Sequence, residues 1–426
     1  METVKLIAVI LAGLSAVLYA YQFAFIPLQW ILSARKKHRD DALFSVPRKT
    51  CAVLISARNE ERVIGDLIKS ITRQTYDNEL IKVFVVADNC SDGTAKAASE
   101  LGAVVYERTN TEEVGKGYAL DFLMRRIKAD YPEGFDLYFV FDADNLLCRD
   151  YFEKMVAKAE EGFDIVTSYR NSKNFGDSWV SSAYGLMFMR SSRYLNHTRS
   201  MLGTSCYAAG TGYLFTRKIA EEQEGWPYHM LTEDIEFSAD QILKGRIVGY
   251  CCDAEFYDEQ PVTFRLSCRQ RLRWAQGYIQ VLKKYGGSLL KKTLKGDFSC
   301  YDLNMCIMPA FLVTVFSLVV DIILSIMGFA VGRTFAASML SVLKYVLAMY
   351  APLFAIALIT ALTEWKRIRT TPVKKILAVF TSPIFMIAYT PIAFVSLFTK
   401  PEWKPIEHCV DGKNLSKRRK EEQLPE

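Results

Sequence analysis

Short apolar runs alternate with amphipathic stretches between about Arg48 and Leu303, and this alternation constrains the fold more than any other sequence feature. The run CAVLISAR, residues 51–58, is typical of a buried strand, and EERVIGDLIKSITRQ, residues 60–74, is typical of an amphipathic helix. Further strands are predicted at 81–89, 103–109, 137–145 and 163–170. The rhythm predicts an α/β fold with a mostly parallel central sheet covered by helices. In such sheets ligands bind at the carboxyl ends of the strands.

Polar side chains follow three of these strands: Arg58, Asn59, Glu60, Asp88, Asn89, Asp142 and Asp144. The run LYFVFDADNLL, residues 137–147, carries two carboxylates separated by one alanine at its polar end. Burying such charges is costly unless a partner neutralises them. A hard divalent cation, Mg²⁺ or Mn²⁺, binds oxygen ligands and bridges to substrate phosphates, so Asp142 and Asp144 are candidate metal ligands. The alternative is a solvated turn.

The stretch MLTEDIEFSADQIL, residues 230–243, places Thr232, Glu233 and Asp234 at a predicted helix start. Thr232 is expected to cap the first turn, where the positive end of the helix favours carboxylates. Plain capping would explain all three residues. The functional alternative is that Asp234 acts as a general base.

The stretch FRLSCRQRLRWAQGYIQVLKK, residues 264–284, is basic and contains a tryptophan. Gln270, Arg273 and Trp274 share one face of a helix by their spacing. An arginine fork suits a diphosphate, and an indole offers a flat face to a sugar ring. The alternative is an amphipathic helix that lies on anionic lipid.

Long apolar segments flank the α/β region. More than 20 uncharged residues from Leu6 are enough to cross a bilayer, and the basic cluster SARKKHR after them places residue 35 onward in the cytoplasm. Three later stretches, at about 308–331, 339–363 and 376–398, are also apolar. Pro383 and Pro391 predict that the last stretch is re-entrant or broken, which returns the tail to the cytoplasm.

These observations predict a multi-pass protein of the plasma membrane with a cytoplasmic catalytic part. Its predicted regions are an N-terminal transmembrane helix (1–34), a cytoplasmic α/β domain (48–260), amphipathic interfacial helices (261–303), a C-terminal transmembrane or re-entrant region (304–400) and a cytoplasmic tail (401–426).

The composition narrows the function classes. With 50% hydrophobic and 23% charged residues, the chain fits a soluble domain joined to membrane segments. Its 10 cysteines lack the spacing of a disulfide framework, and its 4 histidines lack the spacing of a zinc site. The net charge of +6 comes largely from the membrane flanks, and no basic–aromatic groove motif accompanies it. Nucleic acid is therefore not an expected partner.

The combination and order of the acidic and basic motifs resemble the processive family-2 glycosyltransferases, which include cellulose, chitin, hyaluronan, poly-N-acetylglucosamine and related β-glucan synthases. The motifs are Asp88, Asp142-x-Asp144, Thr232-Glu233-Asp234 and Gln270-x-x-Arg273-Trp274, and the resemblance covers about residues 50–285. It implies a GT-A-like nucleotide-sugar-binding domain, with transmembrane and interfacial helices around it.

The resemblance also implies roles for individual residues. Asp234 would be the catalytic base, and Asp144, with Asp142, would bind the metal. The implied nucleotide-sugar site consists of Ala57, Arg58, Glu60, Asp88, Lys116, Asp142, Asp144, Gln270 and Arg273. The implied acceptor site consists of Trp274, Glu233, Thr232, Gly210, Thr211 and Gly212. In the segment KPEWKPIEH, we expect Trp403, Lys404 and His408 to close over the nucleotide as a gate, with a simple interfacial anchor as the alternative.

The predicted function is a membrane-embedded, processive, inverting β-glycosyltransferase that polymerises UDP-glucose into a β-glucan and secretes it. Alternatives are a synthase that uses UDP-N-acetylglucosamine, a single-addition enzyme with a lipid-linked acceptor, and a nucleotide-sensing membrane scaffold or transporter. The expected partners are the UDP-sugar donor, the growing polysaccharide and the lipid bilayer. Since the membrane segments are few, an oligomer or an export partner would complete a channel.

Overall fold

A computed structural model describes residues 2–35, 46–308 and 335–399. Its central sheet has eight strands: β1 Cys51–Ala57, β2 Ile81–Asp88, β3 Val104–Arg108, β4 Leu137–Asp142, β5 Leu146–Leu147, β6 Ile165–Ser172, β7 Tyr213–Thr216 and β8 Val248–Asp258. They lie in the order β3-β2-β1-β4-β7-β6-β8-β5.

Six strands run in one direction and β5 and β7 run in the other, so the sheet is mostly parallel, as predicted, but mixed. Strands β3, β2, β1 and β4 are parallel, as are β6 and β8, but β7 runs antiparallel to both β4 and β6, and β5 runs antiparallel to β8. The reversal has a local cause, because the chain enters β7 at the carboxyl end of β4, where the Gly212 N–H donates to the Val140 carbonyl at 3.0 Å. The segment before β7 therefore lies at the ligand-binding edge of the sheet.

Helices cover both faces of the sheet. In order they are α1 Glu2–Arg35, α2 Ile64–Thr72, α3 Thr94–Ser99, α4 Lys116–Asp130, α5 Tyr151–Ala159, α6 Trp179–Arg190, α7 His197–Met201, α8 Arg217–Glu221, α9 Glu233–Leu243, α10 Phe264–Thr293, α11 Phe298–Ile307, α12 Phe335–Thr363, α13 Pro372–Ile387 and α14 Tyr389–Ser396. A π-helical segment, Ser191–Asn196, joins α6 to α7, and a 3₁₀ turn covers Asn78–Leu80.

The core follows from the period of two along each strand. In β1, Val53 and Ile55 pack into the cluster formed with α2, α3 and α5, whereas Ala52 and Leu54 pack into the cluster formed with α4, α8 and α9. Since both faces of β1 are covered, its sequence is a continuous apolar run rather than an alternating one.

Two segments are long and apolar enough to cross a membrane within the described residues, Val17–Ala34 in α1 and Pro372–Ser396 in α13 and α14, and a shorter apolar helix covers Met349–Thr363. The last segment is broken at Ala388, between α13 and α14, and not at Pro383, which lies inside α13. Pro391 lacks the N–H that would bond to the carbonyl four residues earlier, which accounts for the break. The predicted stretch at 308–331 lies almost wholly outside the described residues, and multi-pass insertion stays a prediction.

Candidate active site

The turns after β1 and β2 are shaped by two asparagines with left-handed backbone, Asn59 (φ 58°) and Asn89 (φ 53°). Asparagine tolerates this conformation better than most residues because its short side chain bonds locally. Asn59 Oδ1 accepts the Ser91 N–H at 2.8 Å, and Asn89 Oδ1 accepts the Asn110 N–H at 2.9 Å. These bonds tie the two turns to the loops beside them.

A cavity of about 660 Å³ opens at this edge of the sheet and extends along α10. Most of the predicted site residues line it: Arg58, Glu60, Asp88, Lys116, Asp142, Asp144, Gly210, Thr232, Glu233, Asp234, Gln270, Arg273 and Trp274. They come from strand ends, helix starts and the middle of α10, so the fold brings together motifs that are up to 216 residues apart in the chain.

Three predicted residues do not line this cavity. Ala57 is buried in the strand core of β1. The Asp142 N–H donates to the Thr211 hydroxyl at 2.9 Å. The Gly212 N–H, just before β7 begins, donates to the Val140 carbonyl of β4. Thr211 and Gly212 therefore position the strand end. The predicted gate residues Trp403, Lys404 and His408 lie outside the described residues.

Lys116 pairs with the acidic end of β4. Its Nζ donates to Asp142 Oδ1 and, at 2.6 Å, to the Gly210 carbonyl. Asp144 is only 5% exposed, and its Oδ1 accepts the Asn145 amide at 3.2 Å. The lysine thus supplies part of the neutralisation that the sequence alone assigned to a metal.

The donor set fits a divalent cation that also binds substrate. Asp142 and Asp144 offer carboxylate oxygens to one cavity, but the described residues hold no group of three or more acidic, histidine or cysteine side chains that could bind a metal. Mg²⁺ and Mn²⁺ sites with one or two carboxylates are commonly completed by substrate phosphates and water. The geometry therefore suits a cation held between protein and a phosphorylated ligand.

Asp88 is held by an arginine that sequence reasoning missed. Arg108 Nη1 donates to Asp88 Oδ1 at 2.7 Å, and both side chains are buried. The signal was present, since both residues end strands and the parallel register of β2 and β3 places them side by side. Arg108 also donates to the Glu113 carbonyl at 2.9 Å, which anchors the loop that leads to Lys116.

Glu233 and Asp234 begin α9 and are both buried against the cavity. Burial raises the pKa of each carboxyl group, and the nearby Lys116 ammonium opposes that rise. The prediction that the Thr232 side chain caps α9 is wrong, because its hydroxyl makes no cap hydrogen bond and its side chain faces Gly277 of α10. Gly210 lies directly beside Asp234, since a Cβ there would be in van der Waals contact with Oδ2 at 3.8 Å.

The basic helix α10 presents Gln270, Arg273 and Trp274 to the cavity, on the shared face that their spacing predicts. Gln270 Oε1 and Arg273 Nε are buried without a hydrogen-bond partner in the described residues. Such orphaned polar atoms indicate a ligand. Arg271, only 2% exposed, instead donates to the Phe385 carbonyl at 2.7 Å and stacks on the Phe385 ring, which ties α10 to α13.

A second charged network, at the ends of β6 and β8, was also missed by sequence reasoning. Arg170 Nε donates to Asp258 Oδ2 at 2.8 Å, and Gln260 donates to the same oxygen at 2.9 Å. Asn145, just after Asp144, donates to Asp258 Oδ1 at 3.0 Å. Because this network depends on the parallel pairing of β6 with β8, neither the spacing nor the residue types in the sequence reveal it.

Alanine in place of Gly117 is expected to destabilise the fold, because its Cβ would lie 2.1 Å from the Tyr228 carbonyl oxygen. Overpacking of this kind costs about 1–3 kcal/mol. The matched control is Gly287→Ala in α10, where an added Cβ meets nothing within 4 Å and should stabilise the helix by roughly 0.5–1 kcal/mol. Urea unfolding measures both, and equal midpoints for Gly117→Ala and the unaltered protein would contradict the close approach.

Comparison with known proteins shows the family to which this chain belongs. The family model described as glycosyltransferase-like family 2 matches residues 47–277, which hold β1 to β8 and the first half of α10. The chain belongs to glycosyltransferase-like family 2. Its membership, with relatives named as glycosyltransferases, supports the prediction of a sugar-nucleotide-dependent transferase.

Three relatives of this chain carry different names. A probable glycosyltransferase of Sulfolobus acidocaldarius is 25% identical over 305 residues, which are 67% of this chain and 62% of the relative. A β-monoglucosyldiacylglycerol synthase of Trichormus variabilis is 24% identical, covering 61% of this chain and 56% of its own length. A poly-β-1,6-N-acetyl-D-glucosamine synthase of Staphylococcus aureus is 24% identical, covering 56% and 57%. The family member thus spans about three fifths of the length of these relatives.

The fold of this glycosyltransferase has a close counterpart among solved structures. A mannosyltransferase from Pyrobaculum calidifontis, solved with GDP-mannose and Mn²⁺, superposes with a TM-score of 0.59 over 91% of this chain and 99% of that one. The two chains are 16% identical, so the likeness concerns the fold alone. It confirms the GT-A-like α/β architecture, and the sheet of this chain is mixed because β5 and β7 are reversed.

Proposed function

We propose that the protein is a metal-dependent, inverting glycosyltransferase that moves one sugar from a nucleotide donor to a hydroxyl group on an amphipathic acceptor. One observation carries the proposal: Asp142, Asp144, Asp234 and Arg273 line a single cavity. These side chains supply the charges that a departing diphosphate and an attacking hydroxyl require.

The donor diphosphate would lie between the strand end and α10. Asp142 and Asp144 would hold Mg²⁺ or Mn²⁺, which when bound neutralises the diphosphate and stabilises the leaving group. Lys116, already fixed beside Asp142, and Arg273 add donors from two sides. Asp88, oriented by Arg108, would contact the nucleoside together with Arg58 and Glu60.

The reaction would proceed by direct displacement. The acceptor oxygen forms a bond to the anomeric carbon as the bond from that carbon to the diphosphate breaks, and attack from the opposite face inverts the linkage from α to β. Asp234 accepts the hydroxyl proton, so no free alkoxide forms. Because burial raises its pKa, Asp234 is a stronger base than an exposed aspartate. Arg273 stabilises the charge that grows on the departing diphosphate.

The far end of the cavity favours a lipid-linked acceptor. Besides Trp274 the lining includes Tyr19 of α1, Met305 and Ile307 of α11, and Met386 of α13. This apolar end lies beside the segments that are long and apolar enough to cross a membrane. An acceptor with a sugar or hydroxyl at one end and an apolar chain at the other would match both parts of the cavity. The name of the β-monoglucosyldiacylglycerol synthases points in the same direction.

Processive extension of a β-glucan is the second candidate, and the position of Trp274 favours it. The indole lines the cavity beside Arg273 and is held edge-on by Tyr184 and Phe188, at ring-centroid distances of 5.9 and 6.3 Å. A rigid indole there would support the sugar at the end of a growing chain. In that case the donor would be UDP-glucose, or UDP-N-acetylglucosamine, since the staphylococcal relative is named as a poly-β-1,6-N-acetyl-D-glucosamine synthase.

Product length separates the two candidates. We expect the purified full-length protein, given Mn²⁺ and one labelled donor at a time, to form a short product that partitions into organic solvent. The donors to compare are UDP-glucose, UDP-N-acetylglucosamine and GDP-mannose. A high-molecular-weight ladder on a gel, sensitive to a linkage-specific β-glucanase, would favour the processive enzyme. Release of nucleoside diphosphate no faster than with Asp234→Asn, for every donor, would contradict both.

A further inference from the structure

Arg190, the last residue of α6, carries a charge that no acidic side chain of the described residues balances by an ion pair. It lines the cavity together with Tyr19 and Gln22 of α1. Its one hydrogen bond is a long one, from Nη2 to Gln22 Oε1 at 3.4 Å, and its Nε is buried with no partner in the described part of the chain. A half-buried guanidinium whose Nε lacks a partner is costly unless an anion joins it.

The charged groups next to Arg190, Arg199 and Asp302, pair with each other and not with Arg190. Arg199 donates to both carboxylate oxygens of Asp302, at 2.5 and 3.0 Å, and the Tyr21 hydroxyl donates to the same carboxylate at 2.6 Å. This group is neutral as a whole. Burial and the Arg199 charge lower the pKa of Arg190 to about 10, so the guanidinium is still protonated at neutral pH.

The backbone after Arg190 is unusual as well. Residues Ser191–Asn196 form a π-helical segment, a geometry that is rare and frequent at functional sites. Ser191, Leu195 and Asn196 of this segment line the same cavity. The segment thus turns a set of polar groups, together with Arg190, toward the cavity instead of the core.

The surroundings define the kind of anion that fits. Gln22 lies within the apolar segment Val17–Ala34, and Met305 and Ile307 of α11 line the cavity on the same side. An anion bound by Arg190 would therefore have apolar surface beside it. A phosphate suits the planar guanidinium, which can bind it through two parallel N–H groups.

We propose that Arg190 is the anchor of an anion subsite that binds the phosphate of an amphipathic, phosphate-bearing acceptor. The inference rests on the proposed function and adds the chemical class of its acceptor. The phosphate lies at Arg190, the apolar chain runs along α1 and α11, and the acceptor hydroxyl faces Asp234.

Binding of dodecyl phosphate to the full-length protein in neutral detergent tests the subsite without turnover. We expect Arg190→Gln to weaken binding about 10- to 100-fold, as loss of a charge-assisted hydrogen bond predicts. Arg190→Lys should fall between the two. The matched control is Arg125→Gln, because Arg125 lies on the exposed side of α4 and pairs only with Asp121 there, so its loss should change nothing. Equal affinity in Arg190→Gln and the unaltered protein would overturn the subsite.

Two further ligands identify what is recognised. Dodecyl glucoside keeps the chain but lacks the anion, and inorganic phosphate keeps the anion but lacks the chain. Both should bind at least about ten-fold more weakly than dodecyl phosphate, since each loses one of two contributions. If inorganic phosphate binds as tightly, the amphipathic acceptor is wrong, and if dodecyl glucoside does, the anion subsite is wrong.

Donor turnover separates this inference from the proposed function. KM for a phosphate-bearing acceptor should rise in Arg190→Gln and stay the same in Arg125→Gln, and an unchanged KM in Arg190→Gln would contradict the subsite. If no donor is turned over by the unaltered protein, the proposed function fails, and the dodecyl phosphate measurements still decide whether Arg190 binds the anion.

Discussion

Asparagine in place of Asp234 is expected to lower kcat about 10²- to 10⁴-fold and to leave KM for the donor almost unchanged. The amide has nearly the same shape as the carboxyl group but accepts no proton, and the proposed diphosphate site is at Asp142, Asp144 and Arg273. Release of nucleoside diphosphate, measured with saturating acceptor, gives both constants. Asparagine at this position with more than a tenth of the original kcat would rule out Asp234 as the base.

The pH dependence provides an independent check of the same residue. Burial raises the pKa of Asp234 above the ordinary value of 3.8, so the base is protonated, and inactive, at a higher pH than an exposed aspartate. The rate should therefore climb as pH rises through the raised pKa. Lys116→Met removes a charge that lowers this pKa, so the climb should move to higher pH. The raised pKa has the opposite effect on folding, because its contribution to stability is present at low pH and is lost as the group ionises. Glu233→Gln, which keeps Asp234 as the base, serves as the control for the pH dependence.

Removal of divalent metal is expected to reduce transfer about 10³-fold, because a bound cation contributes several kcal/mol to the stabilisation of a leaving diphosphate. Excess chelator should abolish activity, and Mn²⁺ or Mg²⁺ should restore it. The double variant Asp142→Asn/Asp144→Asn should show the same loss without rescue, and it should bind Mn²⁺ in the presence of UDP more weakly.

The matched control for the metal is Asp150→Asn, since Asp150 is a half-exposed aspartate that pairs with Lys154 away from the cavity. It should keep full activity and normal Mn²⁺ binding. Transfer at the original rate in chelator, or in the double variant, would contradict the assignment of the metal to the strand end.

Some of this architecture could be predicted because it depends on local pattern. Continuous apolar runs identify strands buried on both faces, and the residues that follow them, such as Asp88 and Asp142, necessarily reach one edge of the sheet. The face shared by Gln270, Arg273 and Trp274 follows from the helical period alone. Strand direction has no such signal, so the reversal of β7 was not predicted, and Thr211 and Gly212 were assigned to the acceptor.

Charge partners proved harder to predict than positions. Arg108 and Arg170 come together with Asp88 and Asp258 only through strand register, and Lys116 reaches Asp142 only because α4 begins at the ligand-binding edge. The Thr232 side chain turned away from its own helix because Gly277 on α10 leaves room for it. Each case depends on a contact between segments far apart in the chain, which neither spacing nor residue type encodes.

Helix α10 connects the α/β domain to the hydrophobic helices, so the two parts cannot be separated without loss. It is one rod of 30 residues, about 45 Å long, whose cavity-facing side chains are fixed partly by Arg271 at Phe385 and by Gln276 at Thr399. A truncated chain that ends before residue 372 would leave the Arg271 guanidinium without its carbonyl and aromatic partners. The α/β half and the hydrophobic half are thus one mechanical unit, and excising the first as a separate fragment would loosen the positions of Gln270, Arg273 and Trp274.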